Sequence, residues 1–332
     1  PELAVLLAYA KLTLYADLLE SQVPDDPYLA REIGRYFPAQ LAEKFPDTLT
    51  QHRLRRDIIA TQLANSIINR GGPSLIVRLA DQTGATAATI ASAFAAVRDS
   101  YSMTAMNTDI DMLDGKISGA VQLSLYRAVQ DLLLDRLVWF IRHVELGTGL
   151  ASIVAHYCDG VAAVDAALTD VLPHDIVQSR DATCSALQQN GVTHDIAWRI
   201  ANLPILSSAP DIVLVADRAG KSIADVTATY FAVHAFFQVA AIIQAARDIP
   251  VSDYFDRLAL DRALDSISDA ERQITASIIA QGTGAAAVEA WARQHGGQVD
   301  RIRTAIHEIA GTGLTISKLS VAASLLGDLA RV

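Results

Sequence analysis

Apolar residues recur every three or four positions along almost the whole chain, and period-two alternation is scarce, so the pattern predicts helices throughout. In the first stretch Leu3, Leu6, Leu7, Ala10, Leu14, Leu18 and Leu19 share a helical face. Pro1 suits a first helical turn, where a missing N–H costs nothing. Pro24 to Pro27 close that helix, and shorter ones follow over 28–36 and 39–45, ended by Pro38 and Pro46. Longer helices are predicted over 50–69, 74–82, 85–101, 104–113, 117–146, 150–170, 174–189, 193–202, 204–217, 221–247, 252–280, 284–294, 297–310 and 315–330. Their breaks fall on glycine and proline, among them Gly71-Gly72-Pro73, Gly84, Gly115, Gly147-Thr148-Gly149, Pro204, Gly220, Pro250, Gly282-Thr283-Gly284, Gly296-Gly297 and Gly311-Thr312-Gly313. Asp211 to Val215 has strand character but no partner of the same kind. The expected fold class is all-α, a multi-helix bundle.

A self-comparison suggests two pseudo-repeated halves. Leu79-Ala-Asp-Gln-Thr-Gly84 resembles Val215-Ala-Asp-Arg-Ala-Gly220, and each precedes an alanine-rich helix. Leu123-Ser-Leu-Tyr-Arg-Ala128 resembles Leu258-Ala-Leu-Asp-Arg-Ala263, and Gly147-Thr-Gly149 resembles Gly282-Thr-Gly284 in the same order. Residues of about 60–170 and 198–305 therefore read as two copies of one helical unit, expected to pack around a pseudo-two-fold axis. Residues 1–48, with their prolines, read as an N-terminal helical connector, and 49–332 as the helical domain proper. Tyr9, Tyr15, Tyr28, Tyr36 and Phe37 concentrate in the connector, so an exposed apolar surface is expected there.

Composition sharpens this picture. Hydrophobic residues are 51% and charged residues 19% of the 332, which excludes a disordered chain, and abundant alanine favours helix over strand. A formal charge of −10 argues against nucleic acid as a partner. Cys158 and Cys184 are too few for a disulfide scaffold and lack zinc-site spacing, consistent with a reducing, cytoplasmic setting. The opening Pro1-Glu2-Leu3 lacks an initiator Met and a secretory leader, so the sequence reads as a piece of something longer.

Candidate chemistry is thin. Gly282-Thr-Gly284-Ala-Ala-Ala287 with Asp300 mimics a dinucleotide fingerprint, but that motif needs a strand before it and a helical pattern stands there instead. Asp109, Asp111 and Asp114 resemble a calcium loop, but the third acid is one place late and Ala120 stands where the bidentate Glu belongs. The stretch from Val226 to Ala246 carries no formal charge and is long enough to cross a bilayer, yet its Thr, His and Gln residues favour a buried helix and no membrane partner. Arg53, Arg55 and Arg56 spread around a helix start as an interface or solvated face. The histidines are dispersed, and no nucleophile elbow, P-loop or C-x-x-C occurs. No catalytic, cofactor-binding or metal-binding residue is nominated.

Two stretches carry a resemblance. Pro1-Glu-Leu-Ala-Val-Leu-Leu-Ala-Tyr-Ala-Lys-Leu12 and Leu54-Arg-Arg-Asp-Ile-Ile-Ala-Thr-Gln-Leu-Ala-Asn-Ser-Ile-Ile-Asn-Arg-Gly-Gly-Pro73 resemble the C-terminal helical region of the large bacterial NAD-dependent glutamate dehydrogenases. Asp25-Asp-Pro-Tyr-Leu29 and Arg35-Tyr-Phe-Pro38 fit the same family. The resemblance implies a parent oxidoreductase of amino-acid catabolism that deaminates L-glutamate to 2-oxoglutarate and ammonia while reducing NAD. Its catalytic residues and NAD site lie in a central domain that this sequence does not match. The implied partners are that catalytic domain and other subunits of a homo-oligomer, with no cofactor in this segment and no activity of its own. The alternative is an autonomous helical ligand-binding protein, its apolar cavity lined by helices 85–98 and 222–246 with His234, Tyr230 and Arg98 converging on it.

Overall fold

A computed structural model describes residues 2–147, 149–311 and 313–331. The expectations for Pro1, Thr148 and Thr312 lie outside the described residues. Among those residues there are eighteen α-helices, three short 3-10 turns and no strand, so the fold is all-α. The chain divides into two compact units: residues 1–159 with 184–207, and residues 160–183 with 208–332.

The first unit opens with α1 (Glu2–Glu20), followed by 3-10 turns, α2 (Arg31–Tyr36), α3 (Ala39–Lys44) and α4 (Pro46–Thr50). Then come α5 (Arg55–Gly71), α6 (Leu75–Thr83), α7 (Ala87–Ser100), α8 (Met103–Asp111) and α9 (Gly119–His143). The unit boundaries fall inside α10 (Leu150–Ala167) and α11 (His174–Gln189), and α12 (His194–Leu206) completes the first unit. Its core centres on α7, where Ala91, Ala93, Ala95 and Ala96 are fully buried and let α9 approach closely. The second half of α1 packs on α5 through Leu14 and Leu18. Arg56 ties that joint by donating to the carbonyls of Leu19 and Ser21 at 2.8 and 3.0 Å, capping the C-terminus of α1.

The second unit contains α13 (Ala209–Ala219), α14 (Ile223–Phe236), α15 (Val239–Ala246), α16 (Tyr254–Ile279), α17 (Gly284–Gly311) and α18 (Ile316–Leu329). Helix α16 is its spine, packed against α13, α14 and α18. Ile267, Ile274 and Ile278 recur along its buried face and meet Leu319, Ala322 and Leu326 in one core.

Both units use the same local devices in the same order. A left-handed Gly84 ends α6, Thr86 caps α7 by accepting from the Thr89 N–H, and Ser102 takes φ 51° before α8. At the corresponding positions of the second unit, Gly220 ends α13, Ser222 caps α14 and Gln238 takes φ 53° before α15. Ser102 and Gln238 are the only described non-glycine residues with positive φ.

Two elements differ clearly from the pattern-based expectation. Pro204, placed at a helix boundary by that pattern, lies inside α12, whose buried Ile196, Ala197, Ile200 and Leu203 outweigh the hydrogen bond it removes. The expected single helix over 221–247 is two, α14 and α15, bent by 67° around Phe237 and Gln238. Nothing in the local sequence marks that bend, because neither Gly nor Pro occupies it. Asp211 to Val215 is helical within α13, in line with the helix predicted over 204–217.

Candidate functional site

Two clusters of buried, ion-paired side chains stand out, one in each unit. In the first unit Arg98, near the end of α7, donates to Glu32 of α2 at 2.8 Å and forks onto Asp99 at 2.8 and 2.9 Å. Arg35 reaches the same Glu32 oxygen at 2.7 Å, and the Tyr28 hydroxyl donates to Asp99 at 2.9 Å while accepting from Arg31 at 2.6 Å. The guanidinium of Arg31 also lies 3.8 Å from the Tyr28 ring centre. Burial alone would raise the Asp99 pKa, but hydrogen bonds and charge from Arg98, with the Tyr28 bond, bring it below the usual carboxylate range. Burial beside that carboxylate pushes the Tyr28 phenol up. These bonds clamp the segment before residue 49 onto α7. Asp26 adds to the clamp, accepting from the Tyr28 N–H at 2.8 Å and from the first N–H of α10, that of Leu150, at 3.2 Å.

In the second unit both oxygens of Glu271, on α16, are engaged. His234 of α14 places Nδ1 2.6 Å from one, and the Tyr230 hydroxyl donates to the other at 2.9 Å. The neighbouring Arg272 donates to buried Asp211 of α13 and to Asp269, both at 2.7 Å. His234, Tyr230 and Arg98, expected to converge on a cavity, each have a carboxylate partner within their own unit. The first two are spent on Glu271, and Arg98 belongs to the first unit's cluster. Two surface depressions are present, one beside Asp17, Glu20, Ser21 and Thr86, the other between α1 and α5 beside Lys11, Tyr15 and Asn65. Neither is lined by these three residues.

The other sequence candidates are accounted for by structure. Helix α16 leads into Gly282 and Gly284 in place of a strand, and the Gly284 N–H donates to Thr229 Oγ1 at 2.9 Å, where a pyrophosphate oxygen would have to sit. Asp109 accepts from Arg199 at 2.6 Å and Asp111 from the Tyr126 hydroxyl, with Gly115 left-handed in the turn after α8. No group of three metal-ligating side chains converges among the described residues. Arg56 serves α1 and Asp25. Among the described residues no single helix is long and apolar enough to cross a membrane.

Sequence reasoning does not single out Glu32, Asp99, Asp211, Glu271 or Arg272. One signal exists for Glu271, which sits in the stripe Ile267, Glu271, Ile274, Ile278 of α16, where an apolar residue belongs. Charge inside a core stripe implies a buried partner, though not which one.

The first half of α1 is the opposite of a buried cluster. Leu3, Leu6, Tyr9 and Leu12 are 57–67% exposed, and Val5 and Ala8 are exposed as well. Leu3 to Ala10 carry no charge, so the apolar surface expected of residues 1–48 is present.

Fold and clusters together define an all-α domain of two compact units, each holding a buried ion cluster between its helices. The family "Glutamate dehydrogenase, C-terminal" matches residues 1–328, and the chain belongs to that family. It is 33% identical over 335 residues to the NAD-specific glutamate dehydrogenase of Pseudomonas aeruginosa, covering 99% of this chain and 21% of that protein. It is 31% identical over 317 residues to the protein of the same name from Halomonas elongata, covering 94% and 20%. The corresponding figures for the Mycobacterium tuberculosis protein of that name are 26% over 337 residues, 100% and 21%. The chain thus spans about a fifth of the length of these relatives.

Proposed function

We propose that this chain is a non-catalytic helical part of a large, cytoplasmic NAD-specific glutamate dehydrogenase, serving subunit assembly or support of the catalytic domain. The parent reaction is oxidative deamination of L-glutamate to 2-oxoglutarate and ammonia with reduction of NAD. The observation that carries this reading is the family match over residues 1–328 joined to a coverage of about a fifth of each relative. Residues 1–48 act in it as the connector that adjoins the catalytic domain. Supporting that role, the clamp on Glu32 and Asp99 fixes one end of the connector, while the uncharged stretch Leu3 to Ala10 of α1 stays largely exposed. Covering each aliphatic side chain there is worth about 1.5–3 kcal/mol, so a neighbour on this face gains substantially. The two copies read from sequence remain part of the proposal; the left-handed and N-cap positions that recur in the same order in both units support them.

The test is an NADH titration of this chain followed by tryptophan fluorescence, with glutamate-dependent NAD reduction read in parallel. Trp139, Trp198 and Trp291 report from both units. Absence of saturable binding and of turnover is expected. Saturable binding of NADH refutes the non-catalytic reading and returns attention to Gly282 and Gly284.

A further inference from the structure

The ion cluster of the second unit differs from that of the first in one respect. Arg98 and His234 occupy corresponding places in the two units, each near the end of an alanine-rich helix and each bound to a buried carboxylate. The first cation cannot lose its charge in the range where proteins work, and the second can. We propose that the Tyr230–Glu271–His234 cluster is a proton-sensitive latch, which holds α14 on α16 while the imidazole is charged and slackens once it is neutral.

A charge count supports the latch. Among the described residues the second unit buries four acidic or basic side chains: Asp211, His234, Glu271 and Arg272. Two negative and two positive charges balance with His234 protonated. Its neutral form leaves one uncompensated negative charge in the core, where an unpaired ion is costly. The short contact at 2.6 Å fits a charge-assisted bond from Nδ1–H to carboxylate. The neutral ring keeps Nδ1–H as a donor but loses that assistance.

The charged and titratable groups of the surrounding elements act in the same direction or are already spent. From α16 come Glu271 and Arg272, the latter held by Asp211 of α13 and by Asp269. Helix α11 contributes the negative charge of Asp175. From α17, Arg303 lies over the Phe236 ring and His307 Nδ1 is 2.9 Å from Gln238 Oε1. Burial alone lowers the His234 pKa, but the charge and hydrogen bond of Glu271, with the charge of Asp175, leave it raised. A group with a raised folded pKa contributes stability that is complete below its unfolded value and lost as pH rises through the folded one. The latch therefore opens on the alkaline side.

What it releases is set by position. Gln238, in the left-handed conformation that costs a non-glycine residue free energy, follows His234 by one turn at the bend between α14 and α15. Slackening His234 frees the last turn of α14 next to this strained joint.

Hydrogen exchange of the whole chain, corrected for intrinsic rates, tests the latch with α7 as internal reference. Between about pH 6 and pH 9, protection of residues 223–236 falls about tenfold while that of residues 87–100 holds. In H234Q the pH dependence of α14 disappears. Parallel decline of α14 and α7, or an undiminished pH dependence in H234Q, overturns the proposal. Should H234Q fail to fold, the His234 Cε1 resonance of the unaltered chain decides: a midpoint above the ordinary value of about 6.5 supports the latch, and one at or below it overturns it.

Discussion

Removing Arg98 tests how much the first ion cluster contributes. In R98M the apolar chain length is nearly kept, but three charge-assisted hydrogen bonds disappear and two carboxylates lose their main counter-charge. Glu32 is 2% exposed, so it cannot turn to water for solvation. Breaking a buried ion pair from one side costs about 3–5 kcal/mol. The low end applies here, because Arg35 still reaches Glu32 and Tyr28 still donates to Asp99. Urea unfolding followed by Trp139 fluorescence in a W291F background reads the first unit, which need not unfold together with the second. With a slope of about 2 kcal/mol per molar urea, a loss of about 3 kcal/mol lowers the midpoint by about 1.5 M. The double variant E32Q/R98M recovers part of the loss, since it no longer strands the Glu32 charge; neighbours of this kind couple by about 0.5–3 kcal/mol. A midpoint shift in R98M below about 0.3 M, equivalent to well under 1 kcal/mol, would refute the argument that this cluster clamps α2 onto α7.

Two further outcomes follow from the same geometry. Asp99 has a depressed folded pKa, so its contribution is present above the unfolded value of about 3.9 and lost as pH falls through the folded one; the first unit's urea midpoint therefore drops in acid, and D99N flattens that drop. Gly160 of α10 lies against Val213 of α13, where an added Cβ would come within 2.4 Å of Cγ2; G160A should cost about 1–3 kcal/mol by overpacking, read as a lower melting temperature of the second unit.

The helices themselves were legible in the sequence because their causes are local. Apolar spacing, Ser and Thr at helix starts and left-handed glycines such as Gly84 and Gly220 act within a few residues of one another. The same reasoning misplaces the break at Pro204, since the burial of α12 that overrides it involves contacts with α8 and α9. It also misses the bend at Gln238, where tertiary packing holds a non-glycine residue in a conformation no local signal requests.

The polar centres lay further from reach. Arg98 and His234 were visible as polar residues on apolar helices, but their partners Glu32 and Glu271 stand 66 and 37 residues away. No periodicity encodes a pairing at that distance. Sequence alone determined that this chain is a helical protein of low formal chemistry, with an exposed apolar start and a resemblance carried by the stretches up to Pro73. Only the tertiary structure decided which charges are buried, which carboxylate each cation meets and where a long apolar stretch bends. The physical reason is that a helix is closed by hydrogen bonds between residues four apart, whereas a buried charge is tolerated only where a distant helix brings its counter-charge.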